Sequence, residues 1–238
     1  MNSAASKTEY LRITDLHSYY GESHILHGID MKVDKGECVT LLGRNGSGRS
    51  TTLKSIMGLV GRRSGSIMLN GTEIINVPTH KIAHHGVGFC PEERAIFSSL
   101  STEENLTLAP IVASGGMTDD EIYEMFPNLK ERRNSPGTKL SGGEQQMLAM
   151  ARVLVGNPKL LLIDEPTEGL APMVVAEIFQ LMEKLKKQGI SILLIEQNIH
   201  KAIHLCDRHY VVERGSIVLE GNSKDAADRN SLIERVSV

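Results

Sequence analysis

LSGGEQQ, residues 140–146, lies just upstream of LLLIDE, residues 160–165, an apolar run that ends in two acids. Far earlier in the chain stands a glycine-rich segment, GRNGSGRST, residues 43–51, called the phosphate loop below. A glycine-rich loop of this kind occurs in many nucleotide-binding proteins. The order of all three segments is therefore more informative than the loop alone.

The phosphate loop has the composition of an anion cradle. Its glycines, which let successive backbone N–H groups face one centre, are Gly43, Gly46 and Gly48. A helix predicted to begin near Ser50 adds its positive N-terminal end, and the Ser50 hydroxyl is the expected Mg²⁺ ligand. The alternative is an ordinary glycine-rich turn. An apolar strand before the loop and a helix over 51–57 after it favour a triphosphate site.

Arg49 departs from the phosphate-loop consensus, which requires lysine at this position. Arginine keeps the charge but is planar, forked and bulkier, so the exchange is not conservative. Either the site accommodates arginine, or nucleotide affinity and turnover are reduced. Because the backbone cradle is intact and the charge remains, our hypothesis is that ATP still binds.

Asp164 and Glu165 follow a predicted buried strand at its C-terminal end, where α/β sheets place their ligands. Asp164 is expected to hold Mg²⁺ through its water shell, and Glu165 to orient or deprotonate an attacking water. The alternative is a pair of solvated acids at a strand end.

The segment 140–146 places Ser141 at a helix N-cap position, followed by Gly142 and Gly143. This pattern presents backbone N–H groups and a helix N-terminus to an anion. The alternative is an ordinary helix start.

The bulk composition narrows the class of protein. The chain has 238 residues, of which 40% are hydrophobic and 23% charged, with a formal net charge of −3, so a globular protein that does not bind nucleic acid is expected. Its three cysteines are isolated and contain no CxxC pair, which fits a reducing cytosol. Residues 1–7 lack an apolar signal core, and runs such as 190–195 are far shorter than the roughly 20 residues that cross a bilayer.

The pattern along the chain predicts an α/β fold. Residues 10–75 read as mostly β, with Asn70-Gly71 as a hairpin turn, and residues 91–136 as a helical insertion. Strands and helices then alternate, as in a mostly parallel sheet. The predicted helices are 102–108, 118–125, 144–155 and 172–188, the last with Val174, Ile178, Leu181 and Leu185 as its buried stripe; the predicted strands include 38–42, 87–90, 160–163 and 190–195, with a closing hairpin over 209–220.

Together these segments resemble the ATP-binding cassette (ABC) ATPases. The resemblance covers roughly residues 10–220. It implies a single cassette over 1–238: a P-loop ATPase core with a mostly parallel sheet, an N-terminal antiparallel β subdomain, and a helical subdomain over approximately 91–150. It also implies ATP and Mg²⁺ as cofactors. The cofactor-binding residues are then Tyr20, Gly43, Arg44, Asn45, Gly46, Ser47, Gly48, Arg49, Ser50, Thr51, Ser141, Gly142, Gly143 and Glu144.

The family pattern gives further residues a role. Tyr20 stands where an aromatic ring stacks on adenine, and segment 140–146 would bind the γ-phosphate of ATP held by another subunit. Glu92 replaces the family's usual glutamine near Mg²⁺, and Gln197 replaces the histidine that contacts the γ-phosphate. The implied catalytic pair is Glu165 and Gln197, and the implied Mg²⁺ ligands are Ser50, Glu92 and Asp164. Ala171 replaces the aspartate found in many cassettes.

Three stretches narrow the resemblance to one branch: CPEER at 90–94, DEPTEGLAP at 164–172 and LIEQN at 194–198. They are similar to the ATP-binding subunits of bacterial importers for branched-chain amino acids. Relatives in that branch serve other amino acids or urea-like solutes, and a nucleotide-binding regulator with low turnover is a further alternative. A soluble ABC ATPase of DNA repair or translation would carry long coiled-coil insertions or a second cassette.

The branch also implies partners and a location. We expect a second, related but different cassette, membrane permease subunits, and indirectly a periplasmic solute-binding protein. The chain would then lie at the cytoplasmic face of the inner membrane, attached through the permeases. His80 and His84, spaced like a metal pair, lack a third ligand nearby in sequence, so a solvated helix face is the expected reading.

Overall fold

A computed structural model describes residues 8–109 and 115–236. Its strands are β1 (Glu9–Tyr20), β2 (Ser23–Asp34), β3 (Cys38–Leu42), β4 (Arg62–Leu69), β5 (Thr72–Glu73), β6 (Val87–Cys90), β7 (Leu160–Asp164), β8 (Ser191–Ile195), β9 (Arg208–Glu213) and β10 (Ser216–Asn222). Its helices are α1 (Arg49–Ile56), α2 (Thr79–Ile82), α3 (Thr102–Thr107), α4 (Asp119–Met125), α5 (Pro127–Glu131), α6 (Gly142–Val155), α7 (Pro172–Lys187), α8 (Ile199–Leu205) and α9 (Ala226–Val236).

An antiparallel sheet of order β2-β1-β4-β5 forms the N-terminal part of the fold. Along β2 the apolar side chains Ile29, Met31 and Val33 are buried and alternate with polar ones, because successive residues of a strand face opposite sides. The turn between β4 and β5 has positive φ at Asn70 and Gly71, as the predicted hairpin requires.

The central sheet has the order β10-β9-β3-β8-β7-β6 and is parallel from β9 to β6, with β10 antiparallel at the edge. Every residue of β3, β7 and β8 is buried, as expected of parallel strands covered on both faces. Because β8 lies between β3 and β7, the carboxyl ends of these three strands are neighbours. The segments that follow them therefore meet at one edge of the sheet.

Two large apolar clusters cover the faces of this sheet. One cluster joins it to the antiparallel sheet and α1, through side chains such as Leu41, Leu53 and Leu69. The other joins its opposite face to α6 and α7, through side chains such as Leu148, Ile163 and Ile178. The layer that contains the antiparallel sheet and α1 and the layer that contains α6 and α7 therefore both pack on β3, β7 and β8.

Several predicted boundaries are corrected. Helix α6 begins at Gly142 rather than Glu144, because Ser141 caps it and the two glycines form its first turn. In α7 the fully buried stripe includes Val175, whereas Val174 is only partly buried. Helix α3 ends at Thr107, and Thr118 is the N-cap of α4 rather than its first residue. The predictions for residues 1–7, and residues 110–114 of the predicted insertion, lie outside the described residues.

Two further observations on the described residues concern membrane-spanning helices and the cysteines. Within residues 8–109 and 115–236, no helix combines the length and apolar content needed to cross a bilayer. All three cysteines are buried and free.

Candidate nucleotide-binding and catalytic site

The phosphate loop curls between β3 and α1 at the carboxyl edge of the central sheet. All three glycines have positive φ, 147° at Gly43, 75° at Gly46 and 110° at Gly48. A side chain at Gly43 would also lie 2.2 Å from the Val212 carbonyl oxygen, so glycine is required there by the neighbouring strand as well.

The loop carries donors that suit a phosphate group. Helix α1 starts at Gly48 without a side-chain cap and has no acid in its first turn, which leaves its N-terminal N–H groups for a ligand. The Ser47 hydroxyl is buried and has no hydrogen-bond partner among the described residues. An orphaned buried hydroxyl beside an uncapped helix start fits a loop built around an anion.

Arg49 is bound to two side chains of the protein. Its Nη2 donates to Glu165 Oε1 at 2.8 Å and to Asn45 Oδ1 at 3.2 Å. The two charged side chains are 5% and 9% exposed, so the ion pair is largely shielded from water. The cation of the phosphate loop is thus bound to the acid that follows β7.

Ser50 and Asp164 also meet across the site. The Ser50 hydroxyl donates to Asp164 Oδ1 at 3.1 Å. Burial, partly offset by the Ser50 hydrogen bond and assisted by the Glu165 and Glu92 carboxylates, raises the pKa of Asp164 to about 6. A hydroxyl and a carboxylate brought together among other acids are the oxygen donors that suit Mg²⁺.

Glu165 is held by three contacts. Its backbone has a φ of 45°, an uncommon value for a residue with a side chain, and its N–H donates to the Ile195 carbonyl at 3.0 Å. Gln197 Nε2 donates to Oε2, while Arg49 holds Oε1. The carboxylate is therefore fixed between the phosphate loop and the end of β8.

A buried pair that the motif analysis did not single out supports Gln197. Thr167 Oγ1 donates to Glu196, at 2.9 Å to either carboxylate oxygen, and Glu196 Oε1 accepts the N–H groups of Gln197 and Asn198 at 3.1 and 3.0 Å. Burial raises the pKa of the Glu196 carboxyl, and these hydrogen bonds oppose that rise. A charged residue directly after an all-apolar strand was the available sequence signal.

Glu92 lies at the outer side of the same site and is exposed. Glu168, also exposed, has a raised pKa because its carboxyl hydrogen-bonds Glu165 and lies near Glu92. Three acids following β6 and β7 thus converge beside Asp164. Such a cluster is relieved by a bound cation.

The segment 140–146 forms the start of α6. Ser141 Oγ accepts from the Glu144 N–H at 3.3 Å, and Glu144 Oε2 accepts from the Ser141 N–H at 2.7 Å, which is a capping box. Gly143 packs so closely on α7 that a Cβ there would lie 2.6 Å from Val174. Among the described residues, no hydrogen bond joins this segment to the phosphate loop of the same chain.

Tyr20 lies at the tip of the β1–β2 hairpin, opposite Ser23, with 47% of its surface exposed. Strand β2 then brings Leu26 within 2.8 Å of the position a Cβ on Gly48 would take. The hairpin therefore leads from the phosphate loop to an exposed aromatic ring.

Gly215, in the turn between β9 and β10, joins the hairpin to the phosphate loop. Its N–H donates to the Ser47 carbonyl at 2.7 Å, and its own carbonyl accepts from the His27 N–H at 2.8 Å. A Cβ at Gly215 would lie 1.9 Å from the Ile25 carbonyl oxygen. The backbone of this one glycine thus bridges the β1–β2 hairpin and the phosphate loop.

The remaining candidates are placed as follows. Arg44 is exposed, with its carbonyl accepting from the Ser47 N–H at 3.1 Å, and Thr51 is half-buried in α1. His80 and His84 are exposed, and among the described residues no three His, Cys, Asp or Glu side chains are arranged to hold a metal ion by themselves, the acids around Asp164 included. Ala171 is the N-cap of α7.

A phosphate loop between a central parallel strand and a helix, with an acidic pair at the end of a neighbouring strand, defines a P-loop ATPase. The ABC transporter family model matches residues 26–168, and the chain belongs to that family. It is an ATPase and the ATP-binding subunit of an ABC transporter.

Similar proteins support this assignment. BraG, a high-affinity branched-chain amino acid transport ATP-binding protein of Pseudomonas aeruginosa, is 43% identical over 85% of this chain and 88% of its own length. The probable branched-chain amino acid transport protein LivF of Archaeoglobus fulgidus is 37% identical over 90% and 93%. The lipopolysaccharide export protein LptB of Escherichia coli is 32% identical over 89% and 90%.

A solved structure supports the fold. A nucleotide-free ATP-binding cassette from an ABC transporter superposes with a TM-score of 0.83 at 26% identity, covering 95% of this chain and 96% of that one. The α/β fold with a parallel-rich sheet and a separate antiparallel sheet is therefore as predicted.

Proposed function

We propose that this chain drives import of branched-chain amino acids by a bacterial ABC transporter. The observation that carries the proposal is its similarity to BraG, at 43% identity, together with the DEPTEGLAP and EQN segments. Identity to LptB is lower, at 32%. No residue of an ATP-binding subunit touches the solute, so the solute must be tested with the partners present.

In the proposed mechanism, the phosphate loop binds the ATP phosphates and Tyr20 stacks on adenine. Ser50, Asp164 and Glu92 would hold Mg²⁺, which would neutralise phosphate charge when bound. Glu165 orients or deprotonates the attacking water, and Gln197 contacts the γ-phosphate of ATP. The buried Thr167–Glu196 pair supports Gln197 by fixing its backbone N–H.

We propose that the second half of each ATP site comes from another cassette, through segment 140–146. The absence of a hydrogen bond between this segment and the chain's own phosphate loop, within the described residues, supports that arrangement. A related cassette of 24% identity was solved as a dimer bound to ADP and phosphate. In this importer branch the partner is a related but different chain, so the two sites need not be equally active.

We propose that residues 91–150 form a helical subdomain that docks on permease subunits at the cytoplasmic face of the inner membrane. The loop 92–100 supports this role, because Phe97 within it is 47% exposed while its backbone is fixed. Asn105 accepts from the Phe97 N–H at 2.8 Å and donates to the Phe97 carbonyl at 2.9 Å. A rigid loop carrying an exposed aromatic ring suits an interface.

The test is reconstitution of the tagged chain with the membrane and solute-binding proteins that co-purify with it. Leucine, isoleucine or valine added with the solute-binding protein is expected to stimulate ATP hydrolysis in proteoliposomes. Glu165→Gln is the matched control, and it should lower turnover at least a hundredfold while leaving complex assembly unchanged.

Stimulation by a different amino acid, a urea-like solute or a lipid, and not by branched-chain amino acids, would reassign the transported solute. A second function, a nucleotide-binding regulator, is favoured by the contact between Arg49 and Glu165, which occupies the catalytic acid. That reading requires hydrolysis no faster than the Glu165→Gln control in the complete complex.

A further inference from the structure

The ion pair between Arg49 and Glu165 joins two groups that ATP hydrolysis needs apart. The phosphate loop needs its cation directed to phosphate oxygens, and Glu165 needs its carboxylate directed to water. In the structure each group is the other's partner, at 2.8 Å, with 5% and 9% of the side chains exposed.

We propose that this pair is a latch: Arg49 holds Glu165 in the nucleotide-free chain and must exchange it for phosphate oxygens when ATP binds. This inference rests on the proposed roles of residues 43–51 and of Glu165. Because the pair is buried, an arginine released without a new anion would be left desolvated and uncompensated, which is costly. Triphosphate supplies that anion, so ATP binding and release of Glu165 are one coupled event.

Arginine makes the latch stronger than the consensus lysine would. The guanidinium Nη2 reaches Glu165 and Asn45 together, at 2.8 and 3.2 Å. The lysine side chain is one bond shorter, so on the same backbone its ammonium does not reach the position of Nη2 between these two acceptors. The latch lowers the affinity for ATP, because a phosphate must compete with the Glu165 carboxylate for Arg49.

The test is a double-mutant cycle on the full chain, with ATP affinity as the readout. Equilibrium binding of ATP is measured in EDTA for the wild type, Arg49→Lys, Glu165→Gln and the double variant. Without Mg²⁺ hydrolysis does not contribute, and sedimentation velocity confirms that each sample is monomeric.

The latch predicts non-additive affinities. Glu165→Gln is expected to tighten ATP binding about tenfold, and Arg49→Lys about fivefold, sizes typical of coupled neighbours. In the Glu165→Gln background, Arg49→Lys should bring less than a twofold gain, because Arg49 is already free. A simple preference of the loop for lysine would instead give the same gain in both backgrounds, and that result overturns the latch.

Glu168→Gln is the control for general removal of negative charge. Glu168 belongs to the same acidic cluster and hydrogen-bonds Glu165, but no hydrogen bond joins it to Arg49 among the described residues. If Glu168→Gln tightens ATP binding as much as Glu165→Gln does, charge alone explains the effect and the latch is wrong. If none of the variants binds ATP at millimolar concentration, the assignment of the ATP site itself fails.

A second readout comes from the nucleotide-free protein. The latch predicts that Glu165→Gln lowers the unfolding temperature without ATP yet gives a larger upward shift when saturating ATP is added. Equal ATP-induced shifts in wild type and Glu165→Gln would contradict it.

Discussion

One buried carboxylate at the end of β8, Glu196, helps to position the residues of this site. Glu196 is 4% exposed, and it holds the backbone of the next two residues as well as the Thr167 hydroxyl. This links the loop after β7 to the loop after β8. The orientation of Gln197 toward Glu165 thus depends on a neighbour outside the proposed catalytic pair.

His209, in β9, is a second buried titratable residue, and it predicts an acid-sensitive fold. Its ring is fully buried, Nδ1 lies 3.2 Å from Ser223 Oγ, and Nε2 has no partner among the described residues. Burial lowers its pKa below the ordinary value near 6.5, although Asp228 and Glu220 act in the opposite direction. The folded state therefore keeps the ring neutral where the unfolded chain binds a proton.

The sign of the effect follows from this lowered pKa. The contribution of neutral His209 to the free energy of unfolding is fully present above the pKa that His209 has in the unfolded chain, about 6.5. It decreases as pH falls from there toward the lower pKa that His209 has in the folded protein. Over that interval His209 alone lowers the free energy of unfolding by up to about 1.4 kcal/mol per pH unit. Urea unfolding at pH 7.5, 6.5 and 5.5 measures it.

His209→Asn should flatten that pH dependence, because Asn keeps a polar group near the position of Nδ1 without a titrating ring. His80→Asn, which changes an exposed histidine, is the matched control. An unchanged pH dependence in His209→Asn would show that other groups produce it.

At the scale of elements, the capping box of α6 has a structural role and a proposed ligand role. We expect Ser141→Ala to lower the free energy of unfolding by about 1 kcal/mol, since it removes the acceptor for the Glu144 N–H. It should also reduce ATP hydrolysis in the assembled complex, because Ser141 would serve the partner's ATP.

Ser101→Ala separates these two effects. Ser101 forms the same capping box at the start of α3, with Glu104 in place of Glu144. Its substitution should give a similar loss of stability with hydrolysis unaffected. Equal hydrolysis in the two variants, measured in the reconstituted complex, would remove Ser141 from the ATP site.

The sequence predicted elements better than contacts. The apolar runs that became β3, β7 and β8 were recognisable because a strand buried on both faces needs no polar residue. The start of α6 was misplaced by two residues, since Gly142 and Gly143 are poor helix formers that the Ser141 cap stabilises in place. The local sequence pattern identifies the helix, whereas the N-cap determines the residue at which it begins.

Side-chain contacts between segments far apart in the chain could not be predicted from the local sequence pattern. Arg49 was recognised as unusual, but its pairing with Glu165, 116 positions away, depends on the spatial order of β3, β8 and β7. Thr167 and Glu196 meet for the same reason. Nothing in the spacing of either pair indicates a hydrogen bond.

At the scale of the whole molecule, loop 92–100 is where the cassette should contact a permease. Phe97→Ala is expected to weaken co-purification with membrane partners about tenfold, because a large exposed aromatic ring contributes most when it enters a partner's pocket. The ring is presented by a loop that Arg152 also fastens, through its hydrogen bond to the Ala95 carbonyl at 2.6 Å.

Val218→Ala provides the comparison. Val218 is 39% exposed on β10, at the opposite edge of the central sheet from β6, which leads into the loop. This change should leave co-purification intact. A loss equal to that of Phe97→Ala, or no loss in either variant, would place the docking surface elsewhere.

The turn at Gly215 has one more consequence for the molecule. The Gly215 peptide hydrogen-bonds the phosphate loop through its N–H and the β1–β2 hairpin through its carbonyl, so it fixes one backbone spacing between them. A ligand that contacts both must therefore fit a spacing that this backbone contact helps to fix. Substitutions of surface side chains can change how firmly each end of such a ligand is held, but they leave this backbone contact in place.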